Sequence, residues 1–403
     1  MWQANGNNNA WWLWVPACAG TTALGGSTDN TGDRMSSAKG IREVGHVDCA
    51  GGGQIVVEKG IAYVGHMESP HGTSIVDVRD PKNPRRLAEL AMPPGTHSHK
   101  ARVANGVMVV NHEAMGEPPS GWRGGFGVYD VSDPAKPREI TRWQTTGNGM
   151  HRFDFDGRYL YGSPTFEGYV GNVMGIFDLK DPGHPQEIGR WWMPGQWIAG
   201  GETPSWKGTM HRCHHPLRFG NRLYTSYWQG GFVILDIDDM ANPKLVSGLD
   251  WSPPFPCPTH SAVPVPFEIN GRKLLVVADE DVFHLFPGPP AFLWIVDVTM
   301  EDRPVPIATF QIEALDGTPQ PKATACHQPV EKITGSEVPA AWFAHGLRII
   351  DIGRPHAPRE VAHFVPDPAP GADRPASNDV FVDERGLIFL LDRVRGFHIL
   401  ERA

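Results

Sequence analysis

DVRDPKNPRRLAEL (residues 77–90) reads as an acid at a strand end, a turn bracketed by prolines and a second apolar run. Nearly the same phrase returns as DVSDPAKPREITRW from Asp130, DLKDPGHPQEIGRW from Asp178, DIDDMANPKLVSGLDW from Asp236, DVTMEDRPVPIATF from Asp297 and DIGRPHAPREVAHF from Asp351. Each copy follows a short apolar run that ends in the Asp: SIVD, GVYD, GIFD, VILD, WIVD and RIID. A seventh run, FHILE (397–401), places Glu401 where the others have Asp. The marker acids are spaced 48 to 61 residues apart. A period near fifty with several short strands per copy predicts the blades of an all-β propeller, and seven markers predict seven blades.

The seventh copy has no outer strand after FHILE. Near the start, IREVGHV (41–47) resembles PREVAHF (358–364), the outer strand of the sixth copy. The N-terminal strand is therefore expected to complete the last blade and close the ring, which leaves no open sheet edge. Residues 41–403 are expected to form this one seven-bladed domain, preceded by a leader over 1–40.

The runs SIVDV, WIVDV and RIIDI, with their proline-bracketed turns, resemble the LVIVD-repeat family of β-propellers over residues 41–403. The resemblance implies a fold and no single activity, because a propeller is a scaffold that carries unrelated chemistries.

The 403 residues include 36 basic and 45 acidic side chains, a net charge of −9 with His neutral. That balance and the lack of a basic stretch argue against nucleic acid as a partner. The 46 Gly and 38 Pro suit many short strands joined by tight turns. No apolar run is long enough for a helix to span a bilayer. Residues 1–40 hold no basic residue before Arg34, so a secretory signal would lack its charged start. They are expected to be a disordered leader, or to lie upstream of a start at Met35, with a cytoplasmic location; secretion or the periplasm is the alternative. Cys49, Cys213, Cys257 and Cys326 have no disulfide-scaffold spacing and are expected as free thiols.

In a propeller the innermost strand of each blade starts at the face where the loop between the second and third strands also lies. The inner-strand starts read THSHKARV (96–103), MHRFDF (150–155), CHHPLRF (213–219), THSAVPV (259–265) and CHQPVEK (326–332). Aligned on the strand that follows, His97, His151, His214, His260 and His327 share one repeat position, with Asn378 there in the seventh copy and Gly51 near it in the first. His99, His211 and His215 sit alongside. Neutral imidazoles converging on one axis make a site for Fe, Cu or Zn, so these five are the expected metal ligands. The competing reading is that a repeated His only holds turns together through hydrogen bonds.

The loops after the second strands supply a further layer at the same mouth: GHMESPHG (65–72) with His66, NHEAMGE (111–117) with His112 and Glu113, ADED (278–281) with Glu280, and DRVRG (392–396) with Arg393. Glu113 and Glu280 each directly follow a strand and are the expected catalytic carboxylates, either orienting a metal-bound imidazole or acting as a base. His112 and Arg393 are expected to contact substrate. One connection is longer than the rest, RWWMPGQWIAGGETPSWKGTMHR (190–212). Its Trp197 and Trp206 are expected to form a lid over the substrate. The repeated strand-end Asp is better read as a turn-capping acid than as a catalytic group.

No Gly-rich phosphate loop, GxSxG elbow or HExxH helix is present. These residues point to a metal-dependent enzyme, an oxidoreductase or oxygenase acting on a small, partly apolar organic molecule. A metal-assisted hydrolase or lyase and a non-catalytic interaction platform are the alternatives, and the oligomeric state is left open.

Overall fold

The computed structural model describes residues 37–207, 209–252, 254–281, 291–312 and 324–403; the expected leader up to residue 36 lies outside the described residues. Among the described residues the chain is all-β apart from one 3-10 turn at Ile198–Gly200. Ser37–Lys39, within the stretch assigned to the leader, is already a strand paired to Arg359–Val365.

The strands fall into antiparallel meanders that follow chain order. Gly52–Glu58, Ile61–His66, His71–Asp77 and Arg85–Ala91 form one four-stranded sheet, and Met150–Phe155, Tyr159–Pro164, Met174–Asp178 and Gln186–Trp191 form another. The copies that start at His211 and Thr259 join into one eight-stranded sheet through the single pair Trp228↔Thr259. Ile41–Val47 pairs with Phe397–Arg402, so the first part of the chain supplies the outer strand of the last sheet. This is the pairing that IREVGHV predicted.

The marker acids explain why the phrase recurs. Asp77, Asp130, Asp178, Asp236, Asp297 and Asp351 each accept the backbone N–H two residues ahead, at 2.8–3.1 Å. Each also faces the first residue of the next strand, and the register slips by one residue just before it. A repeated β-bulge of this kind bends the outer strand and raises its twist.

Burial runs as a gradient across each sheet. Leu274–Asp279 and Leu293–Asp297 are buried at every position, whereas the outer strand Arg138–Gln144 is largely exposed. Continuous apolar runs such as LLVVAD suit strands covered on both faces. The cover comes from neighbouring sheets: Phe126 and Val128 of one pack with Phe153 and Phe177 of the next. The last and first sheets make the same kind of contact. Ile55 N donates to Asp379 Oδ2 at 2.8 Å, Arg385 donates to the carbonyls of Val78 and Arg79 at 3.1 and 3.0 Å, and a Cβ on Gly45 would stand 1.8 Å from the Pro81 carbonyl oxygen. The four described cysteines are free.

Candidate metal centre

Five of the innermost strands are interrupted near their starts. The register slips between Gly52 and Gln54, Met150 and Phe153, His211 and His215, Thr259 and Ser261, and Ser377 and Asp379. The slip encloses Gly53, His151, His214, His260 and Asn378, so a bulge turns each of these residues away from the sheet ladder. In the second copy Thr96–His97 and Ala101–Ala104 pair separately with Val107–Ala114, and Lys100 stays opposite Asn111. The repeat position there belongs to His99, not His97. His97 stands beside it, directly opposite Glu113. THSHK offers two histidines, and only the bulge decides between them.

These residues meet. Consecutive imidazole centroids lie 4.5 Å apart for His97–His99, 4.7 Å for His99–His151, 4.8 Å for His151–His214, 4.6 Å for His214–His260 and 4.0 Å for His260–His327. A Cβ on Gly53 would come within 2.6 Å of the His99 Cβ, so glycine in the first copy makes room for the series. Ligand atoms of His97, His99, Glu113 and His151 lie within 4.8 Å of one another, as do those of His214, His260 and Glu280.

The hydrogen-bond partners fix which nitrogens carry protons. His151 Nδ1 lies 2.7 Å from Glu113 Oε2 and His214 Nδ1 lies 2.7 Å from the His260 carbonyl oxygen. His327 Nδ1 bonds the Asn378 carbonyl oxygen. His260 Nδ1 lies 2.8 Å from Ser261 Oγ, whose own proton goes to Gln328 Oε1 at 2.9 Å. Every one of these partners accepts, so every Nδ1 donates. In the neutral rings the Nε2 atoms are then left with lone pairs. His151 Nε2 and His214 Nε2 face each other at 3.0 Å, and His260 Nε2 is buried with no hydrogen-bond partner. Two lone pairs at that distance repel unless a cation lies against them.

The rings stay neutral because protonation is opposed. Burial, reinforced by neighbouring His and Arg charges, holds His99, His214, His260 and His327 well below the usual imidazole range. Burial also takes His151 down to about 4 against the pull of Glu113. Burial alone would raise Glu113, but His151 and His97 outweigh it and bring the carboxyl to about 2. Glu113 accepts from both, His97 Nε2 at 2.8 Å and His151 Nδ1 at 2.7 Å. Glu280 behaves oppositely. Burial raises it despite Arg393, Arg152 and Arg212, and it lies 3.9 Å from His260 Nε2 and 3.6 Å from His327 Nε2.

A second layer follows one residue further along each strand, with Lys100, Arg152 and His215 buried. Lys100 Nζ lies 2.8 Å from His215 Nε2 and 2.9 Å from Glu331 Oε1, and Arg152 reaches Gln328 Oε1 at 3.3 Å. Burial, reinforced by Arg102 and Arg152, holds Lys100 well below the usual lysine range.

Of the other expected residues, Arg393 lies next to Glu280 electrostatically and 5.8 Å from the Phe343 ring. His112 faces the other way from Glu113, as strand alternation demands, with its ring over Gly127. Trp197 stacks near Tyr169 and Trp192, and Trp206 stacks on His211 at 4.6 Å. Neither contacts the six ring-forming histidines. The aromatic faces on those histidines are instead Trp228 on His214 at 4.8 Å and Phe343 on His327 at 4.6 Å. Both have positive φ, 55° and 31°, in matching turns closed by Tyr227 N to Gly231 O and Trp342 N to Gly346 O. Arg393 takes the same place in the turn closed by Asp392 N to Gly396 O. Large side chains at positive φ are rare. The recurring glycine in WQGG, FAHG and RVRG was the sequence signal for them. His66 is structural: its ring nitrogens bond Ser74 Oγ at 2.7 Å and the Gly51 carbonyl at 3.2 Å.

Comparison with known proteins bears on the fold. Residues 219–250 match the family model described as LVIVD repeat. No curated protein matches the chain. Among solved structures, the WD40 repeats of RRP9 superpose with a TM-score of 0.60 at 9% identity, covering 91% of this chain and 100% of that one. The C-terminal WD40 domain of Sif2 gives 0.55 at 11%, covering 91% and 99%. Sqt1 of Saccharomyces cerevisiae gives 0.55 at 9%, covering 86% and 82%. At these identities the likeness speaks for the fold alone. With the repeated meanders and the matched repeat, it makes this chain an all-β protein of the β-propeller repeat class that carries an LVIVD repeat.

Proposed function

We propose that this protein is a metal-dependent enzyme built on a closed seven-bladed propeller, with one ion held by His151, His214, His260 and His327 through their Nε2 atoms. The observation that carries this reading is the pair of Nε2 lone pairs of His151 and His214 at 3.0 Å, in rings whose Nδ1 protons are already committed. Carbonyl and carboxylate partners on the far nitrogen are what orient metal-binding imidazoles and fix their tautomer. The seven copies, the strand supplied by residues 41–47 and the contacts between last and first sheets support the closed ring.

An all-nitrogen shell of this kind suits Fe or Cu as well as Zn, and bound metal supplies Lewis acidity or redox chemistry. The chain's own groups do the rest. Glu113 holds His97 and His151 in place. Glu280, raised by burial and near His260 and His327, can take up or release a proton at its carboxylate. Trp228 and Phe343 present apolar faces and Arg393 a charge, which fits a small, partly apolar molecule with a polar or anionic end. Oxygenase or other oxidoreductase chemistry is the preferred class. Metal-assisted hydrolysis is the second reading, favoured by the position of Glu280.

Reconstitution of chelator-treated protein with Fe(II), Cu(II) and Zn(II) tests the proposal. One tightly held ion per chain, absent from a His214→Ala variant that still folds, is the expected result. No stoichiometric ion with any of the three would leave the histidines a structural role and overturn it.

A further inference from the structure

The strand pair that joins the two ends of the chain carries a separate cluster. Glu43 and His46 lie on Ile41–Val47, and His398 lies on Phe397–Arg402. His46 and His398 are directly opposite each other. Glu43 would normally point to the other face from His46, three residues on. A bulge between Glu43 and Gly45 puts one extra residue, Val44, into this strand and returns Glu43 to the face of His46.

The resulting distances are those of a ligand set. Glu43 Oε1 lies 2.8 Å from His398 Nδ1, His46 Nδ1 lies 3.3 Å from His398 Nδ1, and Glu43 Oε1 lies 4.0 Å from His46 Nδ1. Nitrogen and oxygen ligands at about 2.0–2.1 Å from a tetrahedral Zn²⁺ stand about 3.4 Å apart, inside that range. His46 is also oriented for the task. Its Nε2 lies 3.1 Å from Asp48 Oδ1, so that nitrogen donates and the lone pair is on Nδ1, facing the cluster. Without an ion, two Nδ1 atoms and a carboxylate oxygen share the single proton of His398. His398 is buried while Glu43 and His46 remain partly open to solvent.

We propose that Glu43, His46 and His398 form a second, structural site for a divalent ion of the Zn²⁺ type, which fastens the N-terminal strand to the C-terminal one. The ion takes the place of the shared proton, which the neutral His398 ring then carries on Nε2. Because the ligands come from opposite ends of the chain, an ion bound only in the paired state stabilises the whole fold by mass action. This site is remote in sequence from the inner-strand histidines and does not depend on what they bind.

Equilibrium dialysis of the full chain against zinc chloride, with thermal melts, tests it. The His46→Asn variant should bind one equivalent of zinc fewer than the unaltered chain and lose the zinc-dependent part of its rise in melting temperature. Glu43→Gln, at a partly exposed position, should weaken the same equivalent without unfolding the protein. Any zinc bound by the inner-strand histidines is common to all three and cancels. Equal stoichiometry in the unaltered chain and His46→Asn, or a loss of melting temperature that is the same with and without zinc, overturns the proposal and leaves a metal-free clasp.

Discussion

Two kinds of residue repeat in this chain, and they are partnered differently. The strand-end acids bond their own turn, two residues ahead, within their own copy. The inner-strand histidines are buried and reach across units: His151 to Glu113 and His214, His214 to His260, His327 to Asn378. A repeated residue that bonds locally is maintaining the repeat. A repeated residue whose partners come from other copies does more than maintain the repeat, and here it carries the proposed site.

The contrast can be broken by substitution, starting where the effect should be largest. His151→Ala removes one lone pair and frees Glu113, and metal content measured by elemental analysis should fall more than tenfold, with any activity. Glu280→Gln keeps shape and removes the titrating group. Turnover should drop by about 10²–10⁴-fold, the usual contribution of a general acid–base, while bound metal is unchanged. Equal loss of metal in this variant would make Glu280 a ligand instead.

His66→Ala is the control on the histidine side. His66 is buried, and its ring nitrogens are bonded within its own sheet. Denaturant melts should show a loss of about 1–3 kcal/mol from the partners left unpaired, with metal content intact. Loss of metal here would mean that the distinction between local and shared partners fails.

The smallest effect belongs to the acids. Asp130 is held at about 2 by the Ser132 backbone N–H, the Ser132 hydroxyl and Arg138. A folded value below the ordinary carboxylate value means its stabilising contribution is complete above about pH 4 and is lost as pH falls towards 2. Asp130→Asn should therefore change thermal stability slightly at pH 7, and the difference from the unaltered chain should shrink between pH 4 and 2. A difference that grows on acidification would contradict the turn-capping role.

Most of the scaffold was legible because its signals are local. The marker acid, its proline-bracketed turn and the apolar run before it recur within a few residues, and IREVGHV carries the pattern of an outer strand. The repeat position was legible at His151, His214, His260 and His327, in the second of these despite two further histidines nearby. In THSHK the sequence could not say that three residues, 98–100, stand opposite two, so His97 was aligned where His99 belongs. Trp228 and Phe343 were missed because positive φ is a property of the folded turn, although the closing glycine repeats. The cluster of Glu43, His46 and His398 depends on a bulge and on pairing across nearly the whole chain, and no local motif announces either.

What occupies the space between His151 and His214 decides between a metal centre and a structural cluster. A crystal of the metal-reconstituted protein, with diffraction recorded on both sides of the metal's absorption edge, addresses this directly. One anomalous peak within about 2.0–2.1 Å of the Nε2 atoms of His151, His214, His260 and His327 is the expected result. Density with no such peak, and with a proton or water shared between the two rings, would contradict it.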